Sequence, residues 1–340
     1  MQRDYWPTTE WQTALPDTVG MDSGRLIPID AVIRSQYENL NGIIIVRKGY
    51  IVHEKYYHRK TSADTHNVAS VAKSITSALI GIAIDKGYIK NADTRVLDYF
   101  PEYVCDTSDK RKQEITIRHL LTMTAPYPFA NWHEPLDRMR RQSDWVRYAL
   151  DMLGQGGRIG TFKYSTAGAH LLSAILTRRT GKCACDFAND TLFKPIGMKE
   201  IPYDDTQSCD FENVFGKGVK GWIHDPNGNS VGGMGLALTL RDMARFGFLY
   251  LNEGVWNGRQ IISKAWINES ISMNKNKYGY LWWLRQDSDT FAYMAMGSGG
   301  NVICCIPEKD LVIAIASRII SRPRDRWPLI EKHILPAVQK

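Results

Sequence analysis

The period of apolar and polar positions changes several times along the chain. Residues 24–40 carry Leu26, Ile27, Ile29, Val32 and Ile33 at helical spacing, which predicts an amphipathic helix. Residues 42–57 read instead as two strands joined at Lys48-Gly49, because β-branched and aromatic residues flank a turn-forming pair. From 71 to 86 the pattern is helical and mostly apolar, stopping at Gly87; such a helix is expected to be deeply buried. Stretches 117–122, 144–153, 167–180 and 238–252 read as further helices. Strand character returns at 278–284, 290–296, 302–307 and 311–316, which are rich in aromatic and β-branched residues. Residues 323–340 read as a closing helix.

Strands near both ends with helices between them predict an α+β fold. One antiparallel sheet takes strands from both termini and is flanked by helices, with a mainly helical region inserted. On this reading 1–95 and 230–340 form one discontinuous sandwich domain, and 96–229 form the insert.

Composition narrows the class without choosing a function. With 44% hydrophobic and 23% charged residues the chain is of ordinary globular type rather than disordered. Its 27 glycines show no three-residue period, and six cysteines are too few for a disulfide framework. Cys304 and Cys305 are adjacent inside an apolar run, a poor geometry for a simple disulfide, so core thiols are expected. The first residues carry no apolar stretch of the secretory kind, and with the thiols this favours a cytoplasmic setting. The longest mainly apolar run, 75–84, falls short of the ~20 residues that span a bilayer. The basic residues behind the net charge of +7 are scattered, so a solvated surface is expected and no nucleic-acid partner.

Several motifs fail. There is no G-x-S-x-G nucleophile elbow and no phosphate-binding G-x-x-x-x-G-K-[ST]. His53-Glu54 and His58 are one residue too far apart for H-E-x-x-H and lie in a strand pattern. Cys183-Ala-Cys185 lacks a second cysteine pair at zinc-ribbon spacing. No metal and no cofactor is expected.

Two S-x-x-K matches remain, Ser70…Lys73 and Ser272…Lys275. The second sits in a polar stretch with no apolar helix behind it. Ser70 stands at the mouth of the most apolar helix, where unpaired N–H groups and the positive dipole end face its oxygen. The i, i+3 spacing puts Lys73 on the same face, within reach of that hydroxyl. A serine needs a base to become a nucleophile, and lysine serves when burial lowers its pKa. The motif alone also admits a plainer reading, with Ser70 as a helix N-cap and Lys73 at the surface.

Asn67-Val-Ala-Ser70-Val-Ala-Lys73-Ser74 closely resembles the active-site helix of class C β-lactamases, low-molecular-weight penicillin-binding proteins and serine esterases. Residues 115–124, Phe162-Lys-Tyr164-Ser-Thr166, residues 192–198, Gly232-Gly-Met-Gly-Leu with 241–247, and Gly297-Ser-Gly-Gly300 continue the resemblance in order. It covers about residues 20–320 and implies a β-lactamase/transpeptidase-like fold. By that resemblance Ser70 is the acylated nucleophile, Lys73 its base or electrostatic support, and Tyr164 the proton relay to the leaving group. A neighbouring ammonium would lower the Tyr164 pKa. The oxyanion hole falls to the N–H groups of Ser70 and Ser298, with Gly297 allowing close approach.

Two departures from the family pattern matter. Thr166 stands where class C β-lactamases have Asn, and Ala295-Met296-Gly297 lacks the cation that helps hold a substrate carboxylate. Both move the expectation toward the 6-aminohexanoate-dimer hydrolase and esterase branches, acting on a small amide or ester. Tyr127, Trp132, Trp222 and Trp282 are candidates for an apolar acyl pocket. The alternatives are a penicillin-binding-protein-like D-amino peptidase or β-lactamase, an acyltransferase, and a catalytically silent binding or scaffold relative.

Overall fold

The computed structural model describes residues 3–104, 110–204, 216 and 218–339. Strands β1 (Leu40–Arg47) and β2 (Tyr50–Tyr56) form the predicted hairpin. Lys48 and Gly49 turn it with φ of 51° and 92°, the left-handed backbone that matches a two-residue turn to strand twist. The C-terminal third supplies β3 (Trp283–Asp287), β4 (Thr290–Gly297), β5 (Asn301–Ile306) and β6 (Leu311–Ser317). The sheet order is β2-β1-β6-β5-β4-β3, with every neighbouring pair antiparallel. The sheet therefore joins both ends of the chain, and the α+β expectation holds.

All residues of β1, β5 and β6 are buried, because both faces of the sheet are covered. Ile43, Ile45, Val302, Cys304, Ile313 and Ile315 pack on a layer that includes Ile29, Ile33, Leu329, Ile330 and Ile334. Ile44, Val46, Ile303, Cys305, Val312 and Ala314 belong to the larger core on the other face. That core holds helices α1 (Val71–Asp85), α2 (Thr166–Thr180) and α3 (Leu240–Leu251). A strand covered on two sides reads as an unbroken apolar run, as Ile43-Ile44-Ile45-Val46 does. Cys304 and Cys305 consequently fall on opposite faces, both as free buried thiols. Cys183 and Cys185 are also free and buried, whereas Cys105 and Cys209 lie outside the described residues.

Three elements differ from the pattern reading. The helix expected over 24–40 divides into Ser23–Leu26 and Ile29–Gln36 around Pro28, and Leu40 already opens β1; proline lacks the N–H that would continue the first helix. The strand expected over 278–284 starts only at Trp283, since Leu281 takes φ 60°, a bend incompatible with extended backbone. The closing helix covers only 327–337, passing from α to π to 3-10 geometry between Pro328 and Pro336. The expected His53-Glu54 strand is real, and its groups are used structurally: Glu54 pairs with Arg241 at 2.8 Å.

Candidate active site

The site is built at the N-terminus of α1. Residues Thr65–Asn67 pair with Ala237–Thr239, and the chain then turns sharply at Ala69, whose φ is 50°. For a residue with a Cβ this backbone costs of order 1–3 kcal/mol, so surrounding contacts must hold it. One is the Asn67 side-chain oxygen, which accepts from the Ala69 N–H at 3.0 Å. Ser70 follows with φ −70° and ψ −2°, and its hydroxyl makes no capping bond to the helix. The hydroxyl instead accepts from Lys73 Nζ at 3.1 Å. This disposes of the N-cap reading of Ser70, and the surface reading of Lys73 fails too, because that side chain is 1% exposed.

Lys73 Nζ also donates to Thr166 Oγ1 at 3.1 Å and to the Gly233 carbonyl at 2.8 Å. The three acceptors match the three protons of an ammonium. A neutral amine would keep two of these bonds as donor and could accept the Ser70 proton on its lone pair. Burial pulls the Lys73 pKa down to about 8, opposed by the charge of Glu134. Gly233 leaves room for this packing: a Cβ on it would lie 3.0 Å from Lys73 Nζ and 2.8 Å from Thr166 Cγ2 and would displace both side chains.

Tyr164 stands just before α2, its N–H donating to Asn131 Oδ1 at 3.0 Å. Its ring stacks on Trp132 and Trp283, with centroids 4.9 and 5.9 Å away, and Lys73 Nζ lies 4.9 Å from its centroid. The expected lowering of the phenol pKa does not occur. Burial pushes it upward; a hydrogen bond with Ser70 opposes this, and the Glu134 charge reinforces it. Tyr164 is thus a neutral hydroxyl in the physiological range.

The end of β4 passes close to Ser70. A Cβ on Gly297 would lie 2.2 Å from the Val68 carbonyl oxygen and 3.2 Å from the Ser70 nitrogen, so only glycine permits this approach. Asn301 fixes the following turn by donating to the Ser298 carbonyl at 2.8 Å. A cavity of about 470 Å³ opens above these groups, lined by Ser70, Trp132, Glu134, Leu136, Tyr164, Thr166, Trp283, Met296, Gly297 and Ser298.

Ser70, Tyr164, Thr166, Gly297 and Ser298 therefore meet at one cavity, with Lys73 beneath its floor. Ser272 and Lys275 lie in an exposed loop. Of the four aromatic candidates, Trp132 lines the cavity, while Tyr127, Trp222 and Trp282 are buried core residues. Trp283 takes the place expected of Trp282, and the adjacent Trp-Trp pair offered no means of choosing between them. Glu134 was not anticipated either. It is half-buried, and in sequence it is one acid in a polar loop.

The family model described as Beta-lactamase matches residues 31–328. The chain belongs to the β-lactamase family. Among curated relatives of this β-lactamase-family chain, an uncharacterized protein of Alkalihalophilus pseudofirmus is 25% identical over 315 residues, covering 83% of this chain and 84% of that protein. The 6-aminohexanoate-dimer hydrolase of Paenarthrobacter ureafaciens is 25% identical over 243 residues, 68% of this chain and 57% of the relative. Among solved structures, a Bacillus anthracis protein assigned as a 6-aminohexanoate-dimer hydrolase superposes with TM-score 0.74 at 19% identity, covering 98% of this chain and 88% of that one. EstCE1, described as a hydrolase with promiscuous acyltransferase activity, gives TM-score 0.65 at 17% identity over 94% and 98%. The fold is β-lactamase/transpeptidase-like, and the family is one of hydrolases.

Proposed function

We propose that this β-lactamase-family chain is a serine hydrolase that cleaves small, uncharged amides or esters through an acyl-enzyme on Ser70. The observation that carries the reading is the contact between the buried Lys73 amine and a Ser70 hydroxyl not spent on capping, beneath an open aromatic cavity.

The neutral Lys73 amine takes the Ser70 proton as Oγ bonds to the substrate carbonyl carbon and the π electron pair moves to oxygen. That oxyanion accepts from the N–H groups of Ser70 and Ser298. Tyr164 then passes its proton to the leaving nitrogen or oxygen, which departs with the electron pair of the broken bond, and recovers a proton from Lys73. Water repeats the sequence on the acyl ester, releasing the acid and restoring Ser70. We propose further that residues 1–95 with 230–340, which carry Ser70, Lys73 and Gly297-Ser298, form one lobe. The inserted 96–229, which carry Trp132, Glu134, Tyr164 and Thr166, form the other.

Substrate charge follows from the wall of the cavity. Trp132, Trp283 and Tyr164 supply flat apolar surface, Glu134 is acidic, and no lysine or arginine is among the described residues that line it. A substrate carboxylate would meet aromatic faces and a like charge, which weighs against penicillin-binding-protein-like and β-lactamase activity. The unbridged thiols Cys183, Cys185, Cys304 and Cys305 fit a cytoplasmic setting. No helix among the described residues is long and apolar enough to cross a membrane.

A fluorophosphonate probe tests the mechanism. It should add its mass to the peptide containing Ser70, and Ser70→Ala should abolish the labelling. Labelling that persists on another serine overturns the reading. Turnover of nitrophenyl esters in preference to penicillin is the expected substrate pattern.

A further inference from the structure

Glu134 does something a helix cap alone does not require. Its carboxylate accepts from the backbone N–H groups of Thr166 at 2.5 Å and Ala167 at 2.7 Å, and from Ser165 Oγ at 3.1 Å. Yet α2 already has a local cap, since Ser165 Oγ accepts from the Gly168 N–H at 3.0 Å. Glu134 thus brings a second, charged cap from a separate loop and holds a carboxylate partly out of water to do so. Burying a charge is costly unless it is compensated.

Compensation lies one residue away. Thr166 gives its backbone N–H to Glu134, and its hydroxyl accepts from Lys73 Nζ. Lys73 contacts only neutral acceptors, namely Ser70, Thr166 and the Gly233 carbonyl. Among the described residues, Glu134 is the single charge that acts on it. The influence is mutual: burial raises the Glu134 pKa overall, and its backbone hydrogen bonds and the Lys73 charge hold that rise back. Three phenols also face the pair. Tyr164 lies under Lys73, and Tyr127 and Tyr148 feel Glu134; all three are pushed upward by burial and stay neutral.

We propose that Glu134 is the counter-charge of the Ser70–Lys73 pair, a positioning residue that acts through Thr166 at the start of α2 and sets the pH at which Lys73 can accept a proton. The inference rests on the acyl-enzyme reading given above. A carboxylate linked to the amine through the single residue Thr166 favours the ammonium, so removing it makes the neutral amine available at lower pH. It also holds the Thr166 hydroxyl where Lys73 meets it.

The test is the pH dependence of fluorophosphonate labelling of Ser70 in the full chain. Glu134→Gln should move the acidic limb to lower pH. One unit below the wild-type midpoint, the labelling rate relative to its own plateau should rise about threefold or more. The glutamine amide could set its NH₂ against a backbone N–H and disturb folding, so Glu134→Ala is the second charge-removing variant, with the same expected shift. Glu134→Asp keeps the charge and should leave the limb in place while lowering the plateau. The inference is overturned if both charge-removing variants label Ser70 with an unmoved limb, or if Glu134→Asp shifts as far as they do. Failure of the wild type to label at Ser70 overturns the hydrolase reading, and this inference with it.

Discussion

Lys73 Nζ lies 3.1 Å from Ser70 Oγ on one face of α1, and the cation is fully buried without touching a carboxylate. Desolvation of this kind favours the neutral amine. It brings the Lys73 pKa from 10.5 to about 8. In the mechanism proposed here, that lowering lets Lys73 serve as a base rather than an inert cation.

The rate of Ser70 acylation is expected to rise with pH through about 8, because the reactive form of Lys73 is the deprotonated one. Lys73→Arg keeps the charge at every working pH and offers no base, so acylation should fall by about 10²–10⁴. Labelling rates measured from pH 6 to 10 check both statements. A flat profile in the wild type would remove Lys73 from the role.

Tyr164→Phe should separate substrates by leaving group. A nitrophenolate departs without a proton, whereas an alkoxide or amine needs one. The loss in kcat/KM is expected to be about tenfold or less for a nitrophenyl ester and about 10² or more for an alkyl ester of the same acid. Equal losses on both would mean that the hydroxyl only positions its neighbours.

Gly297→Ala places a Cβ 2.2 Å from the Val68 carbonyl oxygen, a backbone atom. Either the end of β4 or the turn before Ser70 must shift, at a cost of about 1–3 kcal/mol. Denaturant unfolding should show that loss of stability, and labelling of Ser70 should fall with it. A fully stable and fully active variant would contradict the close approach of the strand.

Trp132 is 64% exposed yet stacks on Tyr164 and Trp283 at the cavity mouth. Trp132→Ala should leave stability within about 0.5 kcal/mol, as an exposed residue does. It should raise KM for esters of bulky apolar acids about tenfold, the equivalent of ~1.4 kcal/mol of lost contact, while acetate esters change less. Thermal melts and kinetics on an acyl-chain series measure the two effects separately.

The apolar helix behind Ser70, the hairpin at Lys48-Gly49 and the antiparallel sheet drawn from both termini were all legible in the sequence. Period, turn residues and continuous apolar runs are local signals, and the S-x-x-K spacing on a helix brings Ser70 and Lys73 together without help from elsewhere. The breaks at Leu281 and within 327–337 were less visible, because backbone geometry there answers to packing and to prolines.

What the tertiary structure alone decided are the contacts between distant segments. Thr166 meets Lys73 across 93 positions, Gly233 across 160, and Glu134 reaches the start of α2 from over 30 residues away. It also decided that Tyr164 remains a phenol and that Trp283, not Trp282, faces the cavity. Charge and solvation depend on what surrounds a group in space. A sequence lists those neighbours only when they are a turn of helix or a strand pair away, so the residues came from the sequence and their chemistry from the fold.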